Sequence, residues 1–166
     1  MSFKLHKSAP AYFRHLLSGG GAAHRFDTQF DAYYYCLLVG LDRRQLRPLD
    51  ELGDEFVRDY VLEYQPHAAT IAGLLVDAEL DRTNTGREDV KAVEKRMVEL
   101  LEAGSASRLS KEGQELLNRY AAGGFTVLND LLANPPQSLE EFFVSYHQLW
   151  TREESVPPAP SPATPE

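Results

Sequence analysis

An all-α fold, a single-domain bundle of about seven short helices around one buried central helix, is the class the sequence predicts. Three observations point to it. The stretch from Phe30 to Leu41 (FDAYYYCLLVGL) carries no charge from Ala32 to Leu41, although charges are frequent on both sides. Wound as a helix, with about 100° between successive residues, Tyr33, Tyr34 and Tyr35 cover most of the circumference, and a helix that is apolar all round is buried on several sides. Elsewhere the apolar residues recur at helical spacing, without the alternation of a strong strand.

Taken in order, the chain begins with residues 1–25, a basic segment that holds Lys4, Lys7, Arg14 and Arg25 and no acid. Tyr12, Phe13, Leu16 and Leu17 predict a short amphipathic helix after Pro10. It stops at Ser18-Gly19-Gly20-Gly21, a flexible connector; the ending Gly-Lys-Ser/Thr of a phosphate-binding loop is missing, and Ala22-Ala23-His24 follows. Residues 26–153 form the helical domain. Asp27 or Thr28 can cap the central helix, and Gly40 sits where a helix tends to end in a left-handed turn. Asp54 can open a helix placing Phe56, Val57, Tyr60, Val61 and Tyr64 on one face. Pro66 starts another, His67 to about Leu80, which buries Ile71, Leu74, Leu75 and Ala78.

After the turn cluster Thr83-Asn84-Thr85-Gly86, the residues Val90, Val93, Met97, Leu100 and Leu101 mark a helix ended by Gly104, with a charged outer face. Ser110 caps a helix that buries Leu116, Leu117, Tyr120 and Ala121 and closes at Gly123-Gly124. A short helix with Phe125, Leu128, Leu131 and Leu132 runs on to Pro135-Pro136. Ser138 and Glu141 form a capping box for the last helix, which presents Phe142, Phe143, Tyr146, Leu149 and Trp150. Residues 154–166 are a proline-rich tail, expected to be disordered or polyproline-like, since five of the last twelve residues are proline.

Composition narrows the function classes. A hydrophobic content of 43% and an aromatic content of 10% fit a folded domain rather than a disordered chain. The formal net charge of −8 gives free nucleic acid no attraction over the whole surface. Cys36 has no partner for an internal disulfide, and the first ten residues have charges but no apolar core of a signal peptide; both favour the cytoplasm. The apolar run is about half the roughly 20 residues that a bilayer-spanning helix needs, so no membrane is expected.

The densest positive charge is Arg43, Arg44 and Arg47, at the exit of the central helix. Cations there complement the negative end of the helix dipole, or else they contact a phosphate or an acidic partner; the first reading leads, because loop arginines mostly solvate a surface. Asp77 and Asp81, four apart with Glu79 beside them, have a spacing that suits a divalent cation, but Arg82 and Arg87 are ready partners and a charge-laced helix end is preferred. No serine occupies a nucleophile elbow, Cys36 lies in a run that should be buried, and the five histidines lack the paired spacing of a zinc site. No catalytic residue, metal or cofactor is therefore assigned.

Two segments together resemble a known family. Phe26 to Pro48 carries Phe, Asp, an apolar helix, Leu-Val-Gly-Leu and then arginines up to a proline. Glu115 to Phe125 reads Glu-Leu-Leu-Asn-Arg-Tyr-Ala-Ala-Gly-Gly-Phe, with a Leu-rich helix behind it. The pair is similar to small accessory proteins encoded beside bacterial DNA phosphorothioation and related phage-defence operons, over roughly residues 26–143. The resemblance implies a non-catalytic accessory protein that docks to a larger DNA-processing subunit and supplies no catalytic residue. Arg43, Arg44 and Arg47 are the expected contact cluster, with Tyr120 and Phe125 shaping a turn near it. The competing reading is direct nucleic-acid binding through Lys4, Lys7, Arg14, Arg25 and the arginine loop. An acidic DNA mimic is disfavoured by the lysines and arginines interspersed along Glu88–Glu102. An enzyme whose site forms only in the fold is the remaining class.

Overall fold

The computed structural model describes residues 2–18, 25–132 and 134–151. The glycine connector at 19–21, His24 and the proline-rich tail lie outside the described residues. Within them the chain is mostly helical, in the order β1 (Phe3–His6), α1 (Ala9–Tyr12), α2 (Arg14–Ser18), α3 (Gln29–Asp42), β2 (Leu52–Val57), α4 (Ala68–Arg82), α5 (Val90–Leu100), α6 (Lys111–Leu131) and α7 (Leu139–Thr151). Short 3-10 turns precede β2 and α4. The expectation of a helical domain holds; the expectation of a purely α one does not.

The correction is a two-stranded antiparallel sheet that joins the N-terminus to the segment after the arginine loop, with Phe3 opposite Val57, Lys4 opposite Glu55 and His6 opposite Leu52. Phe3-Lys4-Leu5-His6 alternates buried and half-buried residues, the period of two that marks a strand lying on a core. The helix expected from Asp54 to Tyr64 is therefore a strand as far as Val57. Beyond it Tyr60 and Tyr64 turn inward, and their rings lie 5.5 and 4.7 Å from that of Phe30.

The core is α3 against α6. Tyr33, Cys36 and Leu37 of α3 are fully buried, while Tyr34 and Tyr35 are half-buried under Tyr64, Phe142 and Tyr146. Thr28 opens the helix, its N–H donating to Asp31 Oδ2 at 2.8 Å. Gly40, Gly123 and Gly124 end no helix. Both helices run through them, and α6 continues unbroken to Leu131. A Cβ on Gly40 would overlap the carbonyl of Tyr120, one on Gly124 the carbonyl of Cys36, and one on Gly123 the carbonyl of Gln45. These glycines let two backbones touch, a tertiary demand that outweighs their local preference for helix ends. The predicted caps Ser110 and Ser138 are in place, accepting from the N–H groups of Gly113 at 3.1 Å and Glu141 at 3.2 Å.

Asn118 of α6 ties the sheet to this core. Its Oδ1 accepts from Lys4 N–H at 3.1 Å and from the buried Tyr33 hydroxyl at 3.0 Å, and its Nδ2 donates to the Ser2 carbonyl at 2.9 Å. Truncation strands the Tyr33 hydroxyl away from water. Asn118→Ala is expected to lower stability by about 2–3 kcal/mol in urea unfolding. Hydrogen exchange at Phe3–His6 should accelerate with it; unchanged exchange there would show that the strand is held by other contacts.

Candidate functional site

The exit of α3 is where the arginines, the acids of α4 and the end of α7 converge. Arg44, in the left-handed region at φ 54°, closes the helix end by donating to the carbonyls of Leu41 and Asp42. Its guanidinium also pairs with Asp81 and reaches Asp77 at 4.0 Å. Arg87 spans the same two carboxylates, 2.9 Å from Asp81. The Asp77–Asp81 pair is thus held by arginines, as its sequence surroundings suggest, and hydrogen bonds from Arg44 and Arg87 keep the Asp81 carboxyl below its ordinary range. Arg43 lies 3.4 Å from Asp42 and donates to the Leu149 carbonyl of α7 at 3.5 Å. Arg47 grips Glu51 with two bonds of 2.6 and 2.7 Å, while its backbone exchanges bonds with Arg119 of α6.

The three arginines therefore point to three neighbours and fasten the loop to each. Their side chains are still 30%, 32% and 38% exposed, beside carboxylates that are exposed too, so the exit is a surface of mixed charge. Between that exit, α4 and α7 opens a cleft of about 400 Å³, with Leu38, Leu41, Leu74, Tyr146 and Trp150 along its walls and Arg44, Asp42 and Asp77 at its edge. No stretch of sequence displays this cleft, because it is assembled from three separate helices.

The other predicted residues are more dispersed. Tyr120 is fully buried, its hydroxyl donating to Glu79 Oε1 at 2.6 Å. Phe125 is buried too, its ring 5.4 Å from Tyr12 and stacked 4.9 Å from His6. Neither shapes a turn, because α6 is continuous at that point; both belong to the core. Lys4 faces Glu55 across the sheet, and Lys7 lines a cleft of about 610 Å³ together with Asp54 and Glu55. Acids of β2 thus offset part of the N-terminal positive charge, while Arg14 and Arg25 are exposed on separate segments.

Glu79 is the residue that sequence reasoning misplaced. Expected on a solvated helix end, it is fully buried between Arg82, at 2.7 and 2.8 Å, and Arg96 of α5. Burial works to raise its pKa, but hydrogen bonds from Arg82, Tyr120 and Arg96 outweigh it and lower the value to about 2. Arg96 continues the network to Glu99 at 2.8 Å and Glu112 at 2.9 Å, lacing α4, α5 and α6 together. Cys36 is fully buried, and desolvation pushes its thiol far above the ordinary range, so it holds its proton. Among the described residues no helix is long and apolar enough to cross a membrane, and no group of three or more His, Cys, Asp or Glu side chains is arranged to hold a metal ion.

Compared with known proteins, the chain matches no protein-family model, no curated protein and no solved structure.

Proposed function

We propose that this chain is a non-catalytic accessory protein of a bacterial phage-defence system of the DNA phosphorothioation type, acting in the cytoplasm by docking onto a larger DNA-processing protein. The cleft at the α3 exit supports the docking. It combines an exposed Leu74 and a half-buried Trp150 with a mixed-charge edge of Arg44, Asp42 and Asp77, and aromatic side chains set among polar ones are common anchors of protein interfaces. The system itself rests on the resemblance of Phe26–Pro48 and Glu115–Phe125. Those two segments meet where α3 crosses α6, so the shared pattern describes one packing unit.

The test is capture of the neighbouring gene products by the purified chain. Reversing the arginines is a poor choice, because a glutamate at 44 would face Asp77 and Asp81 and loosen the fold. Leu74→Asp combined with Trp150→Ala alters the cleft and leaves the ion pairs intact. Loss of an interface anchor typically removes 2 kcal/mol or more, so capture is expected to weaken by about 30-fold or more. Undiminished capture by a folded double variant would remove the cleft from the proposal.

A further inference from the structure

On its other flank α4 borders a second recess, of about 490 Å³, between Ala69, Ala72, Gly73 and Val76 and, across from them, Met97 and Leu101. Gly73 is exposed in mid-helix, and a Cβ placed there meets nothing within 4 Å. Such a glycine costs about 1 kcal/mol relative to alanine, and no described residue makes use of its bare backbone. Helix α5 buries only Leu100, leaving Met97 41% and Val98 79% exposed. Arg108 is the one charged residue of the lining. It donates to the Ala103 carbonyl at 3.1 Å and makes no ion pair among the described residues.

We propose that this recess seats the chain's own proline-rich C-terminal segment, residues 152–166. Position is the first argument. Trp150, at the end of α7, lines the same cleft as Leu74, the neighbour of Gly73, so the chain leaves α7 beside the helix that walls the recess. Length is the second. Fifteen residues at about 3.1 Å each reach about 45 Å in a polyproline conformation, enough to round a helix roughly 10–12 Å across and lie along a wall of about 10 Å.

Chemistry is the third. Val156-Pro157-Pro158-Ala159-Pro160 is uncharged, and its prolines bring no N–H to leave unpaired against an apolar wall. Charge is the fourth, since Glu153, Glu154 and Glu166, against the single cation Arg152, leave the segment acidic around this apolar centre and Arg108 stands at the recess. The tether supplies an effective concentration in the millimolar range, so a contact too weak to hold a free peptide is occupied in the intact chain.

The two methionines are Met1 and Met97, so 13C-methyl labelling of methionine places a reporter inside the recess. In the full chain with Ser161→Cys bearing a nitroxide, Cys36 being buried and unreactive, the Met97 methyl signal is expected to be lost and to return when the nitroxide is reduced. Adding Gly73→Leu, which fills the recess at an exposed position, should restore that signal with unchanged helical circular dichroism. Full intensity in the singly substituted chain would overturn the proposal, as would a loss that persists after Gly73→Leu. Equal loss when the nitroxide chain is mixed with a separately labelled one would assign the recess to a second copy and overturn it as well.

Discussion

Gly124→Ala is expected to destabilise the protein by about 3 kcal/mol or more, reversing the usual sign of a glycine-to-alanine change inside a helix. By propensity alone, alanine at an exposed mid-helix position gains up to about 1 kcal/mol. At Gly124 the new methyl would overlap the Cys36 carbonyl and come within 2.6 Å of the Gly40 nitrogen, both of them backbone atoms. No rotamer relieves such a clash, so α3 and α6 must separate along their crossing. Against a typical total stability of 5–15 kcal/mol, that change brings a domain near its limit. Gly73→Ala provides the opposite sign, because its Cβ meets no described residue within 4 Å and stability should rise by up to about 1 kcal/mol. Both are read from urea midpoints. A neutral Gly124→Ala would show that the two backbones are not in contact.

The second large effect is at Glu79. Replacing it by glutamine leaves Arg82 and Arg96 confronting each other beside a buried amide, and breaking a buried pair costs about 3–5 kcal/mol. The same group makes stability depend on pH. Its folded pKa, about 2, lies below its ordinary value of 4.5, so its contribution is complete above about pH 4.5 and is lost as the pH falls from there toward 2. The shift corresponds to about 3 kcal/mol. Unfolding free energies measured from pH 5.5 down to 2.5 should therefore fall more steeply for the native chain than for Glu79→Gln. Parallel curves would mean that Glu79 does not hold this charge. Glu51 and Asp81 are also lowered, but they titrate in both chains, and the difference between the chains isolates Glu79.

Much of the helical framework was legible because its determinants are local. The charge-free run identifies α3, Ser110 and Ser138 announce their helices, and the spacing of Ile71, Leu75 and Ala78 defines the buried face of α4, from which Leu74, expected there, turns out to the surface. What escaped depends on distant partners. Phe3-Lys4-Leu5-His6 has a strand's alternation, yet four residues are too few to stand out until Leu52–Val57 lies beside them. Phe56, Val57, Tyr60 and Tyr64 have helical spacing by coincidence, since the strand ends at Val57 and the tyrosines follow from a loop. The glycines at 40, 123 and 124 invite a local reading as helix ends, and only the facing backbone shows their use. Glu79 looks solvated until Arg96, 17 residues away, and Tyr120, 41 away, close over it. The arginine exit was recognisable as a charge cluster, but its engagement with Asp81 and Glu51, and the cleft beside it, come from the tertiary arrangement.

The attachment of the first strand to Asn118 has a bearing on synthesis. The bond from Lys4 spans 114 residues, so the anchorage of this strand to α6 forms only after most of the domain has been made. Phe3 can already pack on Phe30, Tyr33 and Tyr60, but until α6 has emerged the Lys4 N–H and the Tyr33 hydroxyl lack their Asn118 acceptor. Any bulky fusion at the N-terminus would press on this late closing step, whereas the helices that precede α6 are free to pair beforehand.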